Sequence, residues 1–145
     1  MLTIGSHVGF NSKDGLLGSL KEALSYHANT FMFYTGAPQN TIRKEIDEKT
    51  TKEAHALMEE NNINIQNVIC HAPYIINLAN RKDEQKWHFS IDFLKGELKR
   101  CDLLGIKYLV LHPGSAVGLP KEEALQNIKD GLNEVLKDNF TCLIL

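Results

Sequence analysis

The sequence predicts an α/β fold in which parallel β-strands alternate with α-helices. Short apolar runs typical of buried strands alternate with amphipathic segments along all 145 residues, and no linker separates them. Two of the predicted strands end in a histidine with a proline close behind, at His71 and His112. Strict alternation requires right-handed crossovers between parallel strands, so the candidates are an open doubly wound sheet and a (β/α) barrel.

The elements are predicted from their apolar periodicity. The helices place apolar side chains three and four residues apart on one side, whereas the strands are short apolar runs. In chain order the elements are a strand over 2–8, a helix over 14–27, a strand over 30–34, a helix over 50–61, a strand ending at His71, a helix over 86–104, a strand ending at His112, a helix over 121–137 and a strand over 141–145.

The longest predicted helix shows the pattern most clearly. Its apolar side chains recur at spacings of four and three, at Trp87, Ile91, Leu94, Leu98 and Cys101. Gly105 is the predicted C-cap because glycine readily adopts the left-handed conformation with which many helices end. Pro120 is the start signal for the last helix.

The glycine pattern favours a barrel over a nucleotide-binding sheet. Neither GxGxxG nor GxxxxGK(S/T) follows the first strand, so the usual phosphate-binding loop is missing. A complete (β/α)8 barrel takes roughly 250 residues. We therefore expect residues 1–145 to form part of a (β/α)8 TIM barrel, one α/β domain with about five strands and four helices that ends within its fifth strand at Leu145.

Composition indicates a globular cytoplasmic protein. Hydrophobic residues make up 43% of the chain, charged residues 23%, and the formal net charge of −2 gives no general attraction to nucleic acid. The apolar runs are too short to span a membrane, and the first residues lack a secretory signal. The three widely spaced cysteines, Cys70, Cys101 and Cys142, predict buried reduced thiols.

The two strand-end histidines are the best candidates for chemistry. Alternation along a strand puts Ile69 with His71 on one face and Val110 with His112 on one face, so both imidazoles are expected at equal heights at the carboxyl edge of the sheet. That edge carries the active site in α/β folds. A single strand-end histidine is more often a structural residue than a ligand. The helical histidines His27, His55 and His88 are expected at the surface or its boundary, and Cys70 is expected to face away from His71.

Four segments together identify a family. They are Gly5-Ser6-His7-Val8, Phe33-Tyr34-Thr35-Gly36-Ala37-Pro38-Gln39-Asn40, His71-Ala72-Pro73-Tyr74-Ile75-Ile76-Asn77-Leu78-Ala79 and His112-Pro113-Gly114-Ser115. In this order and at these distances they closely resemble endonuclease IV, the zinc-dependent abasic-site endonuclease. The resemblance implies a (β/α)8 barrel that hydrolyses the phosphodiester 5′ to abasic sites in double-stranded DNA and trims blocked 3′ ends.

The resemblance also implies a zinc cluster. Endonuclease IV holds three zinc ions at the carboxyl ends of its strands, and by motif His71 and His112 are two of the ligands. The family's bridging glutamate would directly follow Leu145, and its other histidine, aspartate and glutamate ligands come later. Two histidines leave an ion half-coordinated, so weak, partial zinc binding is expected of residues 1–145. No catalytic residue is assigned.

DNA contacts are implied for the loops beside these ligands. Tyr74 and Ile75 occupy positions that enter the duplex from the minor groove in the family, where they replace the stacking lost when the abasic nucleotide is flipped out. Gln39 falls near an intercalating arginine of some members, and His7 lies in another DNA-facing loop or forms a hydrogen bond near the cluster. Ordinary packing remains the alternative for Tyr74 and Ile75, and solvated surface is the alternative to phosphate contact for the Arg43–Lys44 pair.

Two other functions remain open at this stage. A sugar isomerase or epimerase on a similar barrel would bind one divalent ion and a small polyol. A non-catalytic remnant would bind DNA or a partner chain weakly. The resemblance implies a monomer for the full-length family, whereas the partial barrel could associate with itself through its open edge strands.

Overall fold

The computed structural model describes residues 2–145 and shows strands and helices in strict alternation. The strands are β1 (Gly5–His7), β2 (Thr30–Phe33), β3 (Ile69–His71), β4 (Tyr108–Val110) and β5 (Leu143–Ile144). The helices are α1 (Gly15–Ser25), α2 (Glu48–Glu60), α3 (Glu84–Leu104) and α4 (Lys121–Val135), and a short 3-10 helix, Ile65–Asn67, precedes β3. None of the helices within residues 2–145 has the length and apolar content needed to cross a membrane.

All five strands pair in parallel, and their spatial order follows their order in the chain. One α-helix lies in each crossover between consecutive strands. Consecutive parallel strands joined by helices are the repeating unit of a (β/α) barrel, whereas a doubly wound sheet reverses its strand order at a switch point. The structure therefore confirms the predicted fold class and shows five strands and four α-helices of such a barrel within residues 2–145.

The main core lies between the sheet and the helices. Phe33, Cys70 and Leu109, one from each of the three central strands, are completely buried at 0% exposure. Residues of the opposite face, such as Ile69 and Tyr108, are only half-buried. Because successive side chains of a strand point to opposite faces, the side chain of His71 lies on the same half-buried face of β3 as Ile69.

Helix α3 supplies the largest share of this core. All five apolar side chains predicted for its inner face are buried: Trp87, Ile91, Leu94, Leu98 and Cys101. Asp83 caps its start by accepting a hydrogen bond from the Lys86 amide, so the helix begins two residues earlier than predicted. Gly105 ends it at φ +75°, as expected of a left-handed C-cap.

The strands are shorter than the apolar runs that predict them. β1 covers Gly5–His7 rather than residues 2–8, and β4 ends at Val110, so the prediction that this strand extends to His112 is wrong. Pro113 has no N–H to donate to a ladder, and its carbonyl accepts a hydrogen bond from the Leu78 amide at 2.8 Å in the neighbouring loop. The chain therefore leaves the sheet before His112.

Asn77 joins the two loops that follow β3 and β4. Its side-chain nitrogen donates to the Ser115 carbonyl at 3.1 Å, and its oxygen accepts from the amides of Ser115 at 3.2 Å and Ala79 at 3.0 Å. Gly114 makes this approach possible, since a Cβ there would lie 2.7 Å from Asn77 Cγ and its φ is +127°. The loops that follow β3 and β4 are thus held together as one unit.

Replacement of Leu98 by alanine tests the position of the core. Leu98→Ala is expected to lower the free energy of unfolding by about 2–5 kcal/mol, because the change leaves a cavity under α3. Urea denaturation followed by circular dichroism measures this. The control is Leu103→Ala on the same helix, where a side chain that is 66% exposed should cost no more than about 0.5 kcal/mol. Equal losses would contradict the buried face described for α3.

The link between the two loops predicts a difference between two glycines. Gly118→Ala places a side chain at φ +78° with open space around it, and such backbone strain costs about 1–3 kcal/mol. Gly114→Ala adds a clash with Asn77 to a similar strain, so its unfolding free energy should fall further. The two urea midpoints give the comparison. If Gly114→Ala were as stable as Gly118→Ala, close contact between the loops would be disproved.

Candidate metal and DNA-binding site

Aromatic and imidazole side chains meet at the carboxyl edge of the sheet. His7 ends β1, Tyr34 follows β2, His71 ends β3, and His112 lies two residues beyond β4. Parallel strands bring these chain positions to one edge, although they are far apart in the sequence. Three of the rings, those of His7, Tyr34 and His71, form a continuous row of contacts.

His71 is oriented with one ring nitrogen free. Its Nδ1 lies 2.6 Å from the Ala72 carbonyl, and a carbonyl only accepts, so Nδ1 carries the proton and donates. The Nε2 lone pair then remains available in the neutral imidazole. A hydrogen bond from the other nitrogen to a backbone carbonyl is the usual support of a metal-binding histidine.

His112 lies farther along the strand direction than predicted. His71 pairs with Val110, so His112 is two residues beyond the position opposite His71, and the expectation of equal heights is wrong. Adjacent strands of a barrel are staggered because closing the sheet tilts the strands, and this stagger cannot be read from one strand alone. The side chain of His112 is exposed.

Tyr34 is the centre of the aromatic row, and sequence reasoning did not select it as a site residue. Its ring centroid lies 4.8 Å from His7, 5.3 Å from His71 and 5.9 Å from Tyr74. Burial, together with the neighbouring Tyr74 hydroxyl, raises the pKa of Tyr34 to about 12. Tyr34 is therefore a neutral phenol at physiological pH. The available signal was its position, because it follows β2 at the edge where His7 and His71 end their strands.

His7 lies next to Tyr34 at the end of the first strand. Partial burial and the nearby His71 lower the pKa of His7, while the Glu22 carboxylate opposes that shift. The neutral form of its imidazole is favoured as a result. His7 thus belongs to the same row of rings as His71, and its side chain is largely exposed.

Tyr74 and Ile75 project from the loop that follows His71. Tyr74 is 63% exposed and Ile75 42% exposed, whereas the next residue, Ile76, is completely buried. Packing in the core therefore accounts for Ile76 and leaves Tyr74 and Ile75 as a pair of exposed apolar side chains beside the histidine. The Tyr74 ring touches Tyr34 edge-on, which connects the pair to the aromatic row.

Gln39 is exposed in the loop after β2, five residues beyond Tyr34 in the sequence. In the same loop Lys44 is exposed, as the solvated-surface alternative expects, whereas Arg43 fits neither alternative. Its side chain is only 11% exposed and pairs with Glu97 at 2.7 Å, so it is neither a solvated surface residue nor a phosphate contact. The other histidines are not part of the row: His27 and His88 are exposed, and His55 bonds the Leu104 carbonyl at 2.8 Å.

The cysteines are structural. Cys70, Cys101 and Cys142 are free thiols buried in the core, which confirms the prediction of buried, reduced cysteines. The side chain of Cys70 lies in the core between sheet and helices, while that of His71 lies at the opposite face. A Cys70–His71 nucleophile pair is therefore ruled out by geometry.

The donor set supplied by residues 2–145 is small. Among these residues no three His, Cys, Asp or Glu side chains converge to hold a metal ion. The free Nε2 of His71 fits a zinc ligand in chemistry and support, and the exposed His7 and His112 are two further imidazoles at the same edge. A closed four-ligand zinc site would need further donors.

Comparison with known proteins places the chain in a family. Residues 20–139 match the family described as xylose isomerase-like TIM barrel. Over 136 residues the chain is 53% identical to the probable endonuclease 4 of Acholeplasma laidlawii, a match that covers 94% of this chain and 46% of that protein. The chain thus spans about half the length of the curated relatives it matches.

Solved structures of lower identity share the fold. Endonuclease IV from Thermus thermophilus matches with a TM-score of 0.71 at 22% identity, over 97% of this chain and 51% of that one. A D-tagatose 3-epimerase-like protein matches with a TM-score of 0.64 at 13% identity, over 97% and 51%. The fold by itself therefore does not separate an endonuclease from an epimerase, and sequence identity must do so. On that basis the chain belongs to the xylose isomerase-like TIM barrel family and, within it, to the endonuclease IV proteins.

Proposed function

We propose that the chain supplies the N-terminal part of a zinc-dependent DNA repair endonuclease, which cleaves the phosphodiester 5′ to abasic sites and trims blocked 3′ ends. The observation that carries the proposal is the position of His71. Its free Nε2 lies at the carboxyl edge of the sheet, and the Tyr34 ring contacts both His71, at 5.3 Å, and the exposed Tyr74, at 5.9 Å. A metal donor and the proposed DNA-contacting wedge are thus linked through one aromatic ring.

His71 and His112 would hold zinc as neutral imidazole ligands. Bound zinc ions lower the pKa of a coordinated water and neutralise charge on the attacked phosphate. The residues of this chain orient the donors. The Ala72 carbonyl fixes the His71 ring, and the Asn77 link holds the loops after β3 and β4 together. Tyr34 packs against His71, with 5.3 Å between the ring centroids.

Tyr74 and Ile75 suit recognition of an abasic site. An abasic nucleotide leaves a gap in the base stack, and an apolar wedge that enters from the minor groove replaces the missing contacts. Displacing bases costs a few kcal/mol per step, and this cost is least where a base is already absent. Two exposed apolar side chains on a loop anchored by buried Ile76 would offer such a wedge.

Incision of an abasic duplex is the direct test. Residues 2–145 do not bring together a complete metal site, so we expect little cleavage from them alone and cleavage 5′ to the abasic site from a protein that supplies the missing donors. The histidine variants are compared in that completed protein. His71→Ala and His112→Ala should each reduce the rate by about 100-fold or more, because even a lost supporting contact to a zinc ligand costs 10–100-fold in affinity or activity. Gel analysis of an end-labelled duplex measures the rate.

The matched control for the histidines is His88→Ala. His88 is an exposed imidazole on α3 that contacts Glu84, away from the strand ends, so this variant should cleave like the parent chain. Equilibrium dialysis with zinc reports ligand loss independently of cleavage. A completed protein that binds zinc without cleaving abasic DNA would contradict the proposed function.

The wedge can be tested by DNA affinity. Tyr74→Ala is expected to weaken binding to abasic duplex by about tenfold, equivalent to about 1.4 kcal/mol, while binding to intact duplex changes little. Fluorescence anisotropy with both duplexes measures the ratio. Tyr26→Ala is the control, because Tyr26 is a similarly exposed tyrosine, at 59%, at the end of α1. Equal effects of the two substitutions would remove Tyr74 from the proposed wedge.

A further inference from the structure

The loop between β2 and α2, residues 34–47, has little secondary structure of its own. Among residues 36–46 the structure shows one backbone hydrogen bond, from the Asn40 amide to the Ala37 carbonyl at 3.4 Å. Ile42 is 75% exposed and the loop borders a cavity of about 320 Å³, while Ile46, near its end, packs against the core. Backbone pairing therefore does not account for the conformation of residues 36–45, the part of the loop that carries Gln39.

Two arginines supply the missing hydrogen bonds. Arg43 Nη1 lies within hydrogen-bond distance of three carbonyls, which share its two N–H groups: Ala37 at 3.3 Å, Asn40 at 3.1 Å and Ile42 at 3.0 Å. The guanidinium of one residue thus holds three carbonyls of its own loop. Its five donors in a fixed plane make arginine suited to this role, which a lysine ammonium does not reproduce.

Arg100, on helix α3, holds the two ends of the same loop. Its Nη2 donates to the Thr35 carbonyl at 2.7 Å and its Nε to the Thr35 hydroxyl at 2.9 Å. Its Nη1 donates to the Lys44 carbonyl at 2.6 Å. The loop is therefore attached at its beginning and near its end to helix α3, which follows β3 in the sequence.

Glu97 connects these two groups. Its carboxylate, with 0% of the side chain exposed, accepts from Arg43 Nε at 2.7 Å and from the Thr35 hydroxyl at 2.7 Å. Burial lowers the pKa of Arg100, whereas the charge of Glu97 favours its charged form. A buried carboxylate without partners would destabilise the folded chain, so Glu97 requires the donors of Arg43 and Thr35.

The geometry around Arg43 allows little variation. A Cβ on Gly36 would lie 2.9 Å from the Cδ, Nε and Cζ atoms of Arg43, so glycine leaves the space in which the guanidinium lies. On another side the Arg43 Cζ lies 5.0 Å from the centroid of the Phe93 ring, within the range of a cation–π contact. Glu97 and these neighbours thus define one position for the side chain that holds the loop.

We propose that Glu97 is a positioning residue for DNA recognition: through Arg43 and Thr35 it fixes the β2–α2 loop so that Gln39 faces the duplex. This inference rests on the proposed function. Glu97 itself does not contact DNA, since its side chain is fully buried. It acts by ordering a surface loop before DNA binds, which avoids the entropic cost of ordering the loop during binding.

Limited trypsin digestion tests the ordering of the loop without DNA. Trypsin cleaves after lysine and arginine, and the loop contains Arg43 and Lys44. Glu97→Gln keeps the shape of the side chain and removes its charge, so cleavage at Arg43–Lys44 should accelerate by about tenfold or more relative to cleavage at Arg81–Lys82. Mass spectrometry of the fragments gives both rates. An unchanged ratio in a folded Glu97→Gln chain would overturn the proposal.

A double-mutant cycle tests the link to Gln39. Glu97→Gln and Gln39→Ala should each weaken binding to abasic duplex several-fold. The affinity of the double variant should be no lower than that of whichever single variant has the lower affinity. This result is expected because a misplaced loop has already lost the Gln39 contact. Fully additive losses would mean that Glu97 acts independently of Gln39 and would overturn the positioning role.

Two further variants serve as controls. Asp92→Asn removes an exposed carboxylate from the same helix and leaves the Arg81–Glu84 pair at the reference cleavage site intact, so it should leave both readouts unchanged. If Glu97→Gln does not fold, Arg43→Lys keeps the charge and loses the three carbonyl contacts, and it should reproduce the faster cleavage and the weaker binding. Normal protection and normal affinity in a folded Arg43→Lys chain would overturn the proposal.

The two readouts separate this inference from the proposed function. If the parent chain binds abasic and intact duplexes equally, the proposed function fails and the DNA role of Glu97 fails with it. In that case faster loop cleavage in Glu97→Gln would still establish the ordering of the loop. If the parent chain prefers abasic DNA and Glu97→Gln retains the full preference, only the positioning role is refuted.

Discussion

The burial of helix α3 against the sheet is the constraint on which the rest of the structure depends. Its apolar face forms the largest part of the core, and this fixes where its polar side chains reach. Trp87 Nε1 donates to the Leu78 carbonyl in the β3–α3 loop, and Glu97 holds the β2–α2 loop. Asp102 accepts hydrogen bonds from the backbone and hydroxyl of Thr141 and from the Cys142 amide, just before β5. One hydrophobic contact surface thus orders three separate segments through polar contacts, because a buried helix leaves its side chains few alternative positions.

The candidate site is built on the segments that α3 holds. The β3–α3 loop carries Tyr74 and Ile75, and Asn77 in the same loop is linked to the loop that follows His112. Rigid elements hold a site more accurately than free loops do, and here the loops gain that rigidity from side-chain hydrogen bonds to backbone carbonyls and amides. The histidine edge and the proposed DNA-facing surface are therefore parts of one supported unit.

The fold and the function have different evidence behind them. A likeness in fold is shared with an epimerase-like protein, since parallel strands joined by helices serve many chemistries. Identity of 53% to a probable endonuclease 4 separates the two families at the level of sequence. What the site adds is local chemistry: an imidazole with one nitrogen free, next to exposed apolar side chains. Residues 2–145 bring three imidazoles to that edge, those of His7, His71 and His112, but no three His, Cys, Asp or Glu side chains among them converge on one metal ion.

The sequence alone determined the alternation of strands and helices, the buried face of α3, the Gly105 cap, the buried cysteines and the family. These follow from short-range periodicity and from local backbone preferences, which act within one element. Only the tertiary structure decided the two-residue offset of His112 relative to His71, the central place of Tyr34 and the burial of Arg43 against Glu97. Each of these depends on the register between strands or on contacts between residues more than twenty positions apart. Periodicity tells which face a side chain lies on, but the stagger of neighbouring strands and the packing of helices decide which side chains meet.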